Sequence, residues 1–320
     1  MRPLQPNHKS GIFMINRVLI RLKVIQVIYA YYKNSGKSIK TAEDEVFFSL
    51  SKAYDLYKFL LLLIVAVTHY AADRIAFNMK KVRPTAEDLN PNLKFVNNRL
   101  ARQLETNETL LKFAEQSKID WVNYSDFLRR LLDSIVESDI YKEYMASETS
   151  SYAEDKELWR KLYKTFIFDN ADLDALLEDI SLYWNDDKAI VDTFVLKTIK
   201  RFKEENGEGQ ELLPEYKDDE DIEYAHKLFR ASIQNAEEYR SLMSDNSKNW
   251  DMKRLAFMDV IIMQTALAEV LSFPQIPVNV TLNEYVEIAK YYSTPKSGPF
   301  INGLLDSIIK NLKKDNRINK

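Results

Sequence analysis

The chain has 320 residues, 46 % hydrophobic and 29 % charged, with a formal net charge of −3. That balance excludes a disordered chain, and the absence of cysteine excludes disulfides, thiolate zinc sites, iron–sulfur clusters and a cysteine nucleophile. Only 6 glycines and 9 prolines interrupt long 3.6-residue periodicities, so the expected fold class is all-α, and the missing thiols suit a reducing, cytoplasmic location.

The charge is unevenly spread. Residues 1–42 hold eight Lys or Arg and no acid, and the last eleven hold five basic residues and one acid. Between Glu204 and Glu223 lie ten acids and a single lysine, Lys217. A near-neutral total therefore conceals basic chain ends, which suit a polyanionic partner or serve as solubility groups.

In chain order, residues 1–13 lack the apolar core of a signal peptide, and they read as a mobile extension before Met14. The first helix is expected over about Ile15–Lys33, ending at "NSGKS". It is apolar on almost every side, yet carries Arg17 and Arg21 one turn apart, and Lys23, with no carboxylate nearby. Cations there add to the positive end of the helix dipole and make a site for phosphate. Alternatively the arginines reach acids elsewhere, such as Glu284 or Asp306.

"TAED", with Thr41 and Asp44, reads as the capped start of a second helix running to about Lys80, before Pro84 and Pro91. Its longest apolar run, Phe59–Val67, has nine residues against the roughly 20 of a bilayer span, so no membrane is expected. Four to six helices are expected from Leu93 to Phe202, with core positions such as Leu128, Leu131, Leu132, Ile135, Leu158, Leu162, Val191 and Phe194. No repeat is evident. "KEENGEGQELLPEYKDDED" reads as a linker that cannot bury enough apolar area to order itself. Helices follow at about 222–243 and 251–270.

The densest signal lies in "FPQIPVNVTLNEYVEIAKYYSTPKSGPFINGLLDSIIK", Phe273 to Lys310. Thr281 and Glu284 fit a capping box, with Val280 stapling onto Tyr285. "STPKSGP" ends that helix, and Pro299 starts the last one, whose stripe is Ile301, Leu304, Leu305, Ile308, Ile309 and Leu312. Phe300, in the first turn beside Lys296 and Ser297, can offer its ring to an unstacked base or plug the core. Gly303 costs about 1 kcal/mol relative to Ala inside a helix, which reads as room for another helix or a ligand backbone.

The pattern "IPVNVTLNEYVEIAK…SGPFINGLLD" resembles the C-terminal signature of the NusB family of transcription antitermination factors. "WDMKRLAFMDVIIMQTALAEVL" resembles that family's preceding helix and places Glu269 at its glutamate; Arg17, Arg21 and "QVIY" resemble its first helix. The resemblance covers about residues 15–34 and 221–312. It implies a helical bundle in which an N-terminal part, 14–80, packs with a C-terminal subdomain, 221–312. Residues 81–220 become a helical insertion ending in an acidic linker, and 313–320 a basic tail.

The resemblance further implies RNA contacts at Arg17, Arg21, Lys23, Lys296, Ser297, Phe300 and Asn302, and partner contacts at Tyr29 and Glu269. The implied partners are single-stranded boxA-type RNA, the small-subunit ribosomal protein NusE and the RNA polymerase antitermination complex, with no cofactor and no metal. A homodimer masking the basic face is compatible with the same sequence. Three departures stand out: a thin arginine cluster, Lys296 in place of an acid found in some members, and Gln264 in place of a usual arginine. The alternatives are a helical protein–protein scaffold without RNA, or an RNA-binding accessory to ribosomal RNA processing. An enzyme is not expected: His8, His69 and His226 form no local cluster, and HExxH, G-x-S-x-G and Gly-rich phosphate loops are missing.

Overall fold

Asn16 opens the first helix by accepting a hydrogen bond from the Leu19 amide at 2.9 Å, a pattern that Asn98, Asn107, Ser138, Ser151 and Asn170 repeat at later helix starts. The computed structural model describes residues 14–34, 38–184, 186–247 and 255–319, and every regular element among them is helical, as expected from the sequence. The expected extension at residues 1–13 lies outside the described residues. In chain order the α-helices are α1 (Arg17–Lys33), α2 (Ile39–Met79), α3 (Ala86–Leu89), α4 (Arg99–Glu105), α5 (Glu108–Gln116), α6 (Ser125–Glu137), α7 (Asp139–Ala146) and α8 (Tyr152–Leu162). They continue as α9 (Ala171–Ile180), α10 (Lys188–Arg201), α11 (Asp219–Gln234), α12 (Ala236–Asn246), α13 (Phe257–Ser272), α14 (Val278–Tyr292) and α15 (Ser297–Lys314).

These helices sort into two compact units. A terminal unit comprises residues 15–51 and 216–320, and a central unit comprises 52–215 together with Met14. The border expected near residue 80 therefore moves to residue 51, inside α2. The cause is packing, because beyond Ser51 the helix buries Leu56, Tyr57, Phe59, Leu60, Leu63 and Ile64. Trp121 stacks on Phe59 with centroids 4.1 Å apart and donates its indole N–H to the Phe59 carbonyl at 2.8 Å. Trp184 donates likewise to the Lys52 carbonyl. By length and composition α2 is apolar enough to cross a bilayer, and half of its most apolar window is buried in the protein.

In the central unit, α4 to α10 exceed the expected four to six helices, because Asn107 caps a new helix directly after Thr106 closes α4, and Ser138 both ends α6 and caps α7. The acidic segment is also more ordered than its composition suggests. Gln103 donates to the carbonyls of Lys203 and Gly207 at 2.9 Å, and Asn107 donates to that of Gln210 at 2.7 Å. Leu212 and Leu213 are buried, and the Leu213 amide donates to the Tyr57 hydroxyl. Two leucines and four amide hydrogen bonds offset the repulsion that a composition-based reading emphasises. A π-type turn, Tyr163–Ile167, extends α8 and presents the Ile167 and Phe168 carbonyls to the buried Lys188, which also pairs with Asp192 at 2.8 Å.

The terminal unit holds α1, the start of α2, and α11 to α15. Ser38, rather than Thr41, supplies the cap of α2, accepting from the Thr41 amide at 3.0 Å. Glu43 then clamps α2 to α11, accepting two hydrogen bonds from Arg230 and one from His226. α13 is the central post, and nearly all its residues from Ile261 to Val270 are buried beneath α1, α11, α12 and α14. The expected basic tail is folded onto the unit: Ile318 is buried and Arg317 pairs with Glu238.

Candidate nucleic-acid interface

Two sets of polar groups lie at opposite ends of α13. Near its C-terminal end, the Glu269 carboxylate is fully buried and receives Arg21 in a two-point pair, Nε at 2.7 Å and Nη2 at 3.0 Å. Thr281 donates to the same carboxylate at 2.7 Å, as do the hydroxyls of Tyr224 and, at 3.3 Å, Tyr285. Glu284 stands 3.6 Å from the Arg21 guanidinium. One carboxylate thus ties α1, α11, α13 and α14 together.

This geometry corrects several expectations. Arg21 is only 3 % exposed and Glu269 0 %, so neither can meet an RNA or protein partner at the surface. An ionised guanidinium leaves water only with a carboxylate in reach, and Glu269, distant in sequence, supplies it. Lys23 is likewise buried, at 2 % exposure, because α1 is enclosed on nearly all sides. Thr281 is not a helix cap: α14 begins at Val278 after Pro277, placing the Thr281 hydroxyl one turn inside, aimed at Glu269. Arg17 is part-exposed, pairs with Asp221 at 3.3 Å and lies over the Tyr224 ring.

Burial alone would raise the Glu269 carboxyl, but the hydrogen bonds and charge of Arg21 outweigh it and hold it below the ordinary carboxylate range. Glu43 is lowered in the same way, burial opposing and Arg230 with His226 prevailing. Both folded-state values lie below those of the unfolded chain. Their stabilisation is therefore complete above the ordinary glutamate value of about 4.3 and is lost as pH falls through the depressed values. Asp192 in the central unit has the opposite sign: burial pushes it up to about 6, so acidification from neutrality relieves a penalty there. Urea unfolding across this range is expected to show a steep acid limb for the terminal unit, flattened by Glu269→Gln. An acid limb unchanged in that variant would contradict the assignment.

At the N-terminal end of α13 the second set converges. Asp259 accepts hydrogen bonds from Ser293 and, at 2.9 Å, from Ser297, pinning the α14–α15 turn against the first turn of α13. Ser297 is thereby buried at 2 % exposure and engaged internally, which corrects its expected role as an RNA contact. Lys296 and Asn302 are exposed, and Phe300 is half-buried. Gly303 is exposed, and a methyl group at its Cα would meet nothing within 4 Å, so the glycine accommodates no neighbouring helix.

In that same turn, Phe257 meets the last turns of α1. Tyr29 lies 5.5 Å from the Phe257 ring, Tyr32 lies 6.2 Å from it edge-on, and Lys33 sits 4.9 Å over its face. Arg240 of α12 covers Tyr32 at 4.8 Å, and Gln264 bridges Tyr32, Arg240 and the Ser232 carbonyl. α1 and α13 run antiparallel, so Arg17 and Arg21 lie about 15 Å of helix rise from this cluster, counting ten residues from Asp259 to Glu269. The expected meeting of the opening arginines with Phe300 is therefore not made. The closing end of α1 instead meets Phe257, in the turn that Asp259 joins to Ser297.

Sequence reasoning missed Phe257, Tyr32, Lys33 and Arg240 in this cluster. The spacing Tyr29, Tyr32, Lys33 was a usable signal, since residues three and four apart share a helix face. Phe257 and Arg240 had no such signal, because only tertiary packing brings them there.

Comparison with known proteins adds a second line of support. A model of the family described as NusB matches residues 192–310. The transcription antitermination protein NusB of Salinibacter ruber is 33 % identical over 132 residues, 39 % of this chain and 82 % of its own length. Its namesake in Dictyoglomus thermophilum is 36 % identical over 105 residues, 32 % of this chain and 73 % of its own. That of Geobacter sp. strain M21 is 36 % identical over 111 residues, 35 % of this chain and 76 % of its own. No solved structure matches the chain significantly.

Proposed function

Because this chain belongs to the NusB family, we propose that it is a non-catalytic transcription antitermination factor that grips boxA-type single-stranded RNA at the start of α13. On this reading it acts with the ribosomal protein NusE and joins the RNA polymerase antitermination complex. The observation that carries the reading is the cluster just described. Half-buried Phe257, in the first turn of α13, meets Tyr29 and the exposed Lys33 of α1, and the same turn anchors, through Asp259 and Ser297, the segment that carries exposed Lys296 and half-buried Phe300.

Recognition of single-stranded RNA needs phosphate neutralisation together with ring faces or edges for splayed bases. Lys33 and Lys296 supply the first and Phe300 the second, with Asn302 as a polar contact to a base edge. Tyr29, 5.5 Å from the Phe257 ring, is placed to touch RNA or the ribosomal protein. Arg17, matched to Asp221 at the far end of α1, is peripheral.

The test is fluorescence anisotropy with a boxA RNA across a salt series. Each of Lys33→Gln and Lys296→Gln is expected to shallow the log–log salt slope by about 0.7, the value for one phosphate contact on a single strand. Arg17→Gln is expected to leave the slope almost unchanged. Should Arg17→Gln flatten the slope while the two lysine variants do not, the site lies at the other end of α1.

A further inference from the structure

Within the central unit, a hollow of ≈ 350 Å³ opens between α2 and the segment that joins α5 to α6. Its α2 side is an apolar stripe, Leu62, Ala66 and Tyr70, whose four-residue spacing puts all three on one helix face. Ile119 and Val122 of the joining segment line the other wall, and the buried rings of Phe59 and Trp121 close the floor. Val122 is apolar yet 75 % exposed, so that wall stands largely uncovered.

Local hydrogen bonds hold this wall in shape without a ligand. Ser117 accepts from the Ile119 amide at 3.1 Å, and Asp120 accepts from the Val122 amide at 3.0 Å. The Trp121 indole bond to the Phe59 carbonyl locks the stacked pair beneath them. A ligand would lie on that floor and against the aliphatic walls without parting the rings. Preformed apolar cavities of roughly 300–1,000 Å³ each hold one small molecule. A stable protein partner would instead need about 800 Å² of surface on each side, a far larger face than one such hollow offers.

The polar groups of the lining set the chemistry of that molecule. Asp73 on α2 and Asp120 on the joining segment both line the hollow, as does the exposed Ser125, and no Lys or Arg is among the lining residues. Asp73 is exposed and, among the described residues, in no ion pair. Asp120 is exposed as well and uses one oxygen on the Val122 amide. His69, the one histidine of the lining, is turned to Glu105 at 2.9 Å. Two carboxylates beside an apolar surface repel an anion and attract a protonated amine, and a serine hydroxyl accepts a further N–H from it.

We propose that this hollow binds a small amphipathic amine, its apolar body against α2 and Val122 and its ammonium drawn to Asp73 and Asp120. The site lies wholly within the central unit and is independent of RNA binding. It is tested on the full chain with three probes of one shape, phenylbutylamine, phenylbutanol and phenylbutyrate, by calorimetry and ligand-observed saturation-transfer NMR. The amine is expected to bind with a Kd of about 1 mM or tighter, and on the order of tenfold tighter than the alcohol, with the carboxylate weakest. Asp73→Asn with Asp120→Asn should erase that ranking and leave the amine near the alcohol; asparagine at 120 keeps an oxygen for the Val122 amide. Ala66→Phe fills the hollow from α2 and should abolish binding of all three probes. Ala114→Phe fills it from α5 and replaces the first variant if that one fails to fold. No saturable binding of the amine to native protein, or equal affinity for amine and carboxylate, overturns the proposal. So does a ranking that survives the double asparagine variant, or binding that survives a folded, filled variant.

Discussion

Replacing Arg21 with alanine is expected to destabilise the terminal unit by roughly 3–5 kcal/mol, the scale for breaking a buried ion pair from one side. The pair is not a surface bridge whose loss water would repair. Glu269 has no solvent access, and three hydroxyl donors already use its lone pairs, but among the described residues only Arg21 neutralises its charge. Removal of the guanidinium also opens a void between α1 and α14. In the Arg21→Ala background, Glu269→Gln should restore part of the loss, because an amide oxygen still accepts from Tyr224 and Thr281 without a buried charge. Urea unfolding of the two variants checks this directly. A cost under about 1 kcal/mol would mean that the arginine is solvated after all. RNA affinity of the folded Arg21→Ala protein is expected to stay near native, which separates this residue from the lysines of the interface.

The second large effect concerns Phe300→Ala. Stacking of one base on an aromatic ring is worth about 1–3 kcal/mol, so boxA affinity should fall by roughly 5- to 150-fold. The melting temperature should move little, because Phe300 is only half-buried, whereas Ile301 beside it is fully enclosed. Phe300→Tyr should recover most of the binding by restoring a ring face. A large loss of stability with RNA binding retained would show that the ring packs rather than stacks, and would remove the aromatic component from the proposed interface.

The helical class and the family could be read from the chain because both are written in local patterns. Scarce glycine and proline, capping side chains and the ordered run from Ile276 to Asp306 each need only a few neighbouring residues. The fate of Arg21 could not be read that way. Its partner Glu269 is 248 residues distant, and an arginine facing RNA has the same local signature as one facing a buried carboxylate. Thr281 misled for a related reason: T-x-x-E occurs within α14 as readily as at a helix start, and the choice was made by Pro277 and by the need to satisfy Glu269. Lys296, Phe300 and Asn302 stayed at the surface because the turn carrying them is anchored through Ser297, whose small hydroxyl fits beneath it.

The course of α2 bears on any attempt to shorten this protein. A truncation designed from sequence would cut after residue 80 and keep the helix whole. The surviving stub would then carry Leu56, Phe59, Leu60, Leu63 and Ile64 with their former neighbours Trp121 and Trp184 gone, a sticky rod prone to clump. A minimal variant should instead splice residue 51 to residue 216.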